Sequence, residues 1–457
     1  MPPRFHLLAA ATAALLATLA LLACTSDGTP PSRSPTPTPE VIRTPEATQT
    51  LEPTSTPRLI APTPTATPKS PVVGMTVLQA SGVGEHYTVY DGHSRLIDDQ
   101  FPRFTSDGAV WYSPTDETAA FRWDSTARAT EAIEGAWGVT ESADGLTRSY
   151  YLRSDDGPTH DLVAIRGDLE LTTRGDYSAH VLSPDGLSLA AFRWENGANS
   201  LIVFDLAGGR HTTLATDIDT CDCRNPPPLW SPSGAYLAYT DFGNPPTDEA
   251  DRGGFVVAVD RAVDPIEVGD IVGWLATDEG DRLVAIASGV LRLVDPATGE
   301  RHALALPEVG VRFATLTAGA TLLDVAANDS DGVTRTLLLD PLTSEILGSW
   351  EGDGPAAMTP DGPAFASTNT EGCAGTRLDH PALDEPACFD GADVAVWSPD
   401  GRLLALRGDS RQSTDDWVEI WDVAADFRYR FEVPPDSRLL GWSPDSIHLL
   451  VIWGSGV

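Results

Sequence analysis

Trp397-Ser-Pro-Asp-Gly401, running into Arg402-Leu-Leu-Ala-Leu-Arg-Gly408, is the stretch of this 457-residue chain from which the rest is read. Serine opens a tight turn, proline presets φ at the next position, and Asp-Gly completes it. A short apolar, β-forming run follows, so the unit is a hairpin. The signature recurs at Leu182-Ser-Pro-Asp-Gly186 before LSLAAFRW, at Trp230-Ser-Pro-Ser-Gly234 before AYLAYTD, and at Trp442-Ser-Pro-Asp-Ser446 before IHLLVIW. Phe104-Thr-Ser-Asp-Gly108 and Met358-Thr-Pro-Asp-Gly362 are weaker copies. A second landmark alternates with the first: an apolar strand ending in aspartate, then a turn, then another strand. Asp205, Asp295, Asp340 and Asp422 mark its copies.

The hairpins lie roughly one or two multiples of 40–48 residues apart. A period near 40–45 with four strands per unit is the mark of a β-propeller. No long 3.6-period apolar pattern intervenes, which predicts an all-β chain with little helix. The chain stops half a unit after Trp442, and HYTVY-Asp91-GHSRLI near the start reads as the missing half. A blade shared between the two ends would pair strands that an open sheet leaves bare. The expectation is a single propeller over residues 73–457, of about eight four-stranded blades, with seven or nine also compatible with the spacing.

These hairpins resemble the repeats of bacterial TolB-type and WD40-like propellers, and the resemblance covers most of residues 77–457. It implies that Trp230, Trp397 and Trp442 pack between blades while Asp185, Asp400 and Asp445 build turns. TolB-type proteins carry a small α/β domain ahead of the propeller. Here a different segment holds that place.

That segment begins with Arg4 and an uncharged Ala/Leu-rich run of 17 residues from Leu7 to Ala23, a secretory-leader pattern. It ends in Leu21-Leu22-Ala23-Cys24, which resembles a bacterial lipobox. The resemblance implies a signal peptide over 1–23 and an acylated Cys24 as the first mature residue. Two or three acyl chains anchor stably in a membrane. The alternative is an uncleaved span, for which 17 residues is the lower edge. Thr25 and Ser26 leave inner and outer membrane both open. Residues 24–72 are rich in proline and threonine and read as a disordered, PPII-like tether. Its reach is roughly 40 Å as a coil and about 150 Å when extended. The expected location is extracytoplasmic, at the cell envelope.

Residues 73–457 hold 62 Asp and Glu against 25 Arg, a net charge of −37. That argues against nucleic-acid binding, which needs cations facing phosphates, and fits a soluble domain, cation binding or a basic partner. Lys69 is the only lysine, so the propeller can run no lysine-dependent chemistry.

Four cysteines remain besides Cys24. An exported chain favours disulfides. Cys373 and Cys388 share one excursion, GCAGTRLDHPALDEPACFDG, and are placed for local pairing. Cys221 and Cys223 form a strained short ring or cross to the other pair. A Cys₄ zinc site is the sharper alternative, with the spacing against it. Asp329 and Asp331 in one loop, and Asp155 and Asp156 in another, are candidate calcium ligands or plain turn residues. Arg-Gly-Asp occurs at 166–168, 174–176 and 407–409, as adhesion sequence or turn composition. Trp111, Trp123, Trp417 and Trp421 could line a sugar groove or fill the core. The chain has no nucleophile elbow, no His-Glu-x-x-His and no phosphate-cradling loop. Paired carboxylates could cleave glycosides, but 62 acids single out no pair. The leading functional expectation is a monomeric module that binds a protein or glycan of the envelope. The alternatives are a hydrolase or lyase acting on polysaccharide or peptide, and a scaffold or sensor subunit.

Overall fold

The computed structural model describes residues 74–79, 86–89 and 103–453, apart from 113–118, 124–130, 154–158, 196, 220–225, 242–252, 261–263, 308–309, 318–320, 369–371, 409–415, 424, 426 and 434–436. Every regular element among the described residues is a β-strand. No helix there is long and apolar enough to cross a membrane.

Among the described residues the strands pair, nearly all in chain order, as antiparallel meanders forming eight sheets, seven of four strands and one of seven. In the seven-stranded sheet, Leu169–Leu182 pairs through 169–175 with His160–Arg166 and through 176–182 with Ser188–Glu195. This one long strand closes one meander and opens the next. The chain therefore makes eight consecutive meanders, over 103–134, 136–175, 176–218, 229–267, 270–303, 310–351, 356–390 and 392–433. The last sheet is built from both ends. Gly74–Gln79 lies between His86–Val89 and His448–Trp453, in register from Gly74↔Trp453 to Gln79↔His448. The fold is an all-β propeller closed by terminal strands sharing a blade. An expectation of about eight blades is compatible with eight sheets that contain nine meanders.

The first strand of each meander is innermost, and one position on it organises the hub. Leu182 pairs with Leu189, Trp230 with Leu237, Trp274 with Leu283 and Ala314 with Val325. Ala356 pairs likewise with Phe365, Trp397 with Leu404 and Trp442 with Leu449. Every one of these second-strand partners is fully buried. Where tryptophan holds the hub position, its indole N–H donates to a carbonyl of the preceding meander. Trp230 reaches Val181 and Trp274 reaches Leu229, each at 3.1 Å; Trp397 reaches Pro355 at 3.3 Å and Trp442 reaches Val396 at 3.1 Å. The ring is thus sewn blade to blade by an amphipathic side chain that buries its body and spends its one donor.

The Ser-Pro-Asp-Gly turns show why those residue types recur. The hydroxyls of Ser183, Ser398 and Ser443 donate to Asp185, Asp400 and Asp445 at 2.5–2.6 Å. They accept the amides of Ser188, Leu403 and His448 at 2.8–2.9 Å. Each aspartate also accepts the amide two residues on, closing the loop locally. Gly401 has φ +69°, and a Cβ there would stand 2.0 Å from the Met358 carbonyl oxygen, so neighbouring turns nest. Ser446 takes the glycine position at φ 62° and accepts the Asp400 amide on its hydroxyl at 3.1 Å. A Cβ at Gly108 would lie 3.6 Å from Asp445, so the first meander adjoins the closing one.

The repeat departs from its motif in two places. Met358 does not hold the hub position. The register Ala356↔Phe365 assigns it to Ala356, because this hairpin is two residues longer, as is the one after Trp274. Ser142-Ala-Asp144-Gly145 builds the same turn without proline, Ser142 donating to Asp144 at 2.5 Å. Arg166 bonds that carboxylate at 2.8 Å and holds it well below the usual range.

The shared strand Leu169–Leu182 carries a buried aromatic junction. Tyr151 packs against Trp137 and edge-on against His180, with centroids 4.4 Å apart in both cases. His160 meets Trp137 edge-on at 4.9 Å. His180 is buried at a register break beside Ala179, whose φ is +50°. Its imidazole bonds the Ser149 carbonyl, yet burial pushes its pKa down to about 4. Nε2 of His180 has no hydrogen-bond partner among the described residues.

Candidate functional site: the axial wall

One step before the hub position the strand turns its side chain to the other face. In three successive blades that residue is Leu229, Gly273 and Phe313. An innermost strand bonds a neighbour on its outer edge only, so its other edge faces the axis. Its two faces pack against adjacent blades. A side chain that stays exposed on such a strand therefore opens onto the axis. Leu229 is 39% exposed and Phe313 is 61% exposed. Between them, a Cβ at Gly273 would come within 2.5 Å of Leu316, so backbone and not side chain forms the wall there. Met358, 37% exposed, adds apolar surface nearer the turns of the seventh meander. Asp270, Arg312 and Asp393 are exposed on the same inner strands, and Asp393 is paired with Arg407 at 3.2 Å. The wall is an apolar sector flanked by charge, with the aspartate turns at one rim.

A carboxylate lies under this sector. Asp324 pairs with Thr315 of the sixth meander's inner strand and accepts the Ala356 amide of the seventh at 3.0 Å. Burial pushes its pKa up to about 7, helped by the negative charge of Asp353 and opposed by the Ala356 amide. The unfolded chain ionises this group near 4, so stability falls as pH rises from about 4 to 7 and is level above. Asp324→Asn keeps the acceptor and removes the charge. It is expected to be more stable than the parent by about 1–3 kcal/mol at pH 8, and to lose that advantage at pH 4. Urea midpoints at the two pH values test it; equal midpoints at pH 8 rule it out.

The other singled-out residues lie elsewhere. A disulfide joins Cys373 and Cys388, with Cα atoms 5.7 Å apart. Among the described residues, only Cys373, Cys388 and Asp390 bring three metal-donor atoms together, and these two sulfurs are bonded to each other. Asp329 accepts the amides of Asp331 and Val333 at 2.9 Å and a bond from Arg335 at 3.2 Å, the chemistry of a β-turn. Its carboxyl is held below the usual range, chiefly by the Val333 amide. Cys24, the tether, Asp155, Asp156, Cys221 and Cys223 lie outside the described residues. The Arg-Gly-Asp arginines are engaged: Arg166 with Asp144, Arg174 with Asp161 at 3.1 Å, Arg407 with Asp393. Trp111 and Trp421 are buried, and Trp417 lies 4.0 Å beneath Arg430, so these three are packing residues. Sequence reasoning missed Leu229 and Phe313. An apolar residue before a hub position reads as core, and its exposure depends on the neighbouring blades.

No family model matches the chain, and no curated protein matches it. Solved structures do. A eukaryotic initiation factor is 12% identical with TM-score 0.50, over 83% of this chain and 98% of that one. A putative TolB from Agrobacterium tumefaciens is 12% identical with TM-score 0.34, over 85% of this chain and 100% of that one. Dipeptidyl peptidase 4 from Porphyromonas gingivalis is 12% identical with TM-score 0.43, over 79% of this chain and 59% of that one. The first likeness is one of fold alone.

Proposed function

We propose that this chain is an envelope-anchored binding module that holds a partner protein or glycan on its axial wall. The observation that carries the reading is the exposure of Phe313 and Leu229 at equivalent inner-strand positions. Large apolar groups left open in a concave surface mark contact sites. The hub-adjacent positions Val181, Leu229, Phe313, Pro355 and Val396 carry no ionisable group, which favours docking over acid–base chemistry at that level of the channel. The acidic charge suits a partner with basic groups around an apolar element. In this reading the leader delivers the chain across the membrane, acylated Cys24 holds it there, and residues 25–72 give the propeller reach.

The test is photo-crosslinking in whole cells. A benzophenone amino acid replaces Phe313 in one chain and the exposed turn residue Leu342 in another. A discrete adduct from position 313 in the membrane fraction, missing from 342, is the expected result. In a Cys24→Ala background that adduct leaves the processed membrane fraction. Adducts alike at both positions, or none at 313, refute the axial site.

A further inference from the structure

We propose that two copies of this chain join edge to edge through Phe427–Val433, the outermost strand of the eighth meander. Outer strands in this propeller are mostly unsuited to pairing. Glu131–Glu134 and Ala387–Asp390 have four residues, Arg301–Ala303 three and Ile266–Glu267 two. The longer Arg210–Ile218 and Glu345–Glu351 are interrupted by register shifts. Phe427–Val433 pairs with Asp416–Asp422 residue for residue without a break. No strand among the described residues pairs along its other edge, and the side chains there are open: Phe427 is 47% and Tyr429 38% exposed, and Arg428 and Arg430 are exposed as well. A long flat edge is a template for another strand unless charges defend it.

Here the charges are arranged as a palindrome. A two-fold axis through the sheet keeps each side chain on its own face. Centred on Arg430, it sets Phe427 opposite the copy's Val433, Arg428 opposite Glu432, and Tyr429 opposite Phe431. One face becomes an apolar ladder, in line with Tyr429 and Phe431 already packing at 4.4 Å within one copy. The other face carries two Arg–Glu pairs. Centring on Tyr429 would instead oppose Arg428 to Arg430, and centring on Phe431 would pair five residues in place of seven.

The charge inventory fits the first register. Arg428 stacks on Trp421 at 4.1 Å and on Phe389 at 5.1 Å. Neither Arg428 nor Glu432 has an ion-pair partner among the described residues. Arg430, which would meet its own copy, is bonded to Glu419 at 2.7 and 2.9 Å, so the central pair is compensated. Cross-strand opposite charges stabilise a sheet and like charges destabilise it. A self-complementary patch of this kind gives a closed two-fold dimer, which replaces the expectation of a monomer.

Sedimentation equilibrium of the full chain in density-matched detergent tests this. The parent should dimerise reversibly below about 100 µM. Arg428→Glu and Glu432→Arg should each raise the dimer dissociation constant about tenfold, and the double exchange should return it to within about threefold of the parent. Unchanged thermal midpoints confirm folded variants. Amide exchange within 427–433 should slow as parent concentration rises. A parent that stays monomeric overturns the proposal. So does a dimer indifferent to both single reversals, or a double exchange that fails to restore association.

Discussion

Trp442→Ala lowers the unfolding free energy by about 3–5 kcal/mol and opens the ring at its seam. Trp442 is 8% exposed and packs with Leu449 and Val451 of its own blade against Leu403, Ala405, Val418 and Phe431 of the preceding one. Alanine leaves a cavity between two blades that share no hydrogen-bonded strand, so the gap closes poorly. It also strands the Val396 carbonyl that the indole satisfied at 3.1 Å. Trp442→Phe separates the two contributions. It keeps most of the apolar volume and loses the donor, and should cost about 1–2 kcal/mol. The seam adds a second readout. The closing blade holds Gly74–Gln79 through pairing with His448–Trp453, so the alanine variant should expose the strands at 74–79 and 86–89 to protease well below its global unfolding midpoint. Urea melts and limited proteolysis measure both. An alanine variant within 1 kcal/mol of the parent, or a seam cut no sooner than other loops, would falsify the role of this tryptophan.

The same residue shows what was legible in the sequence. Turn chemistry is local, so Ser-Pro-Asp-Gly could be read directly, and the hydroxyl–carboxylate–amide loops at 183–188, 398–403 and 443–448 are its physical form. The strand-ending aspartates are equally local: Asp205, Asp295 and Asp340 each accept the amide two residues on. Closure was legible because half a unit at each end is a statement about chain order. Phase was harder. Met358 fits the motif by identity, yet hairpin length moved the hub position to Ala356, and Trp274 holds it with no motif at all. The exposed wall at Leu229 and Phe313 was illegible, since an apolar residue on a strand looks the same whether a neighbouring blade covers it or the axis opens beside it. The shared strand Leu169–Leu182 was hidden because nothing in its composition marks where one blade passes it to the next.

That shared strand is also where acid should act. Between pH 7.5 and pH 4 the parent is expected to lose about 3 kcal/mol of stability through His180 alone. The group is buried and its pKa sits at about 4, against roughly 6.5 in the unfolded chain. Between those values the unfolded state binds the proton and the folded state does not, so stability is full above pH 6.5 and drains as pH falls. Opposing it, Asp324 gains stability over much of the same range, because its folded pKa lies above the unfolded one. The whole-chain profile is therefore a sum of opposite slopes and cannot by itself identify either group. The difference between parent and His180→Phe isolates the histidine. Phenylalanine fills the edge-on site against Tyr151 and abandons the bond to Ser149, so its absolute stability should drop slightly at neutral pH. Its pH dependence should flatten by the full His180 share, so the two curves should cross as pH falls and leave the variant the more stable of the two at pH 4. The loss should also be local. His180 lies at the register break on the only strand among the described residues that belongs to two blades, so amides in 169–182 should lose exchange protection before those of the hub at 397–404. Parallel pH profiles for parent and variant would mean that the protonated imidazole finds a partner in the folded state, and the acid sensitivity would then belong elsewhere.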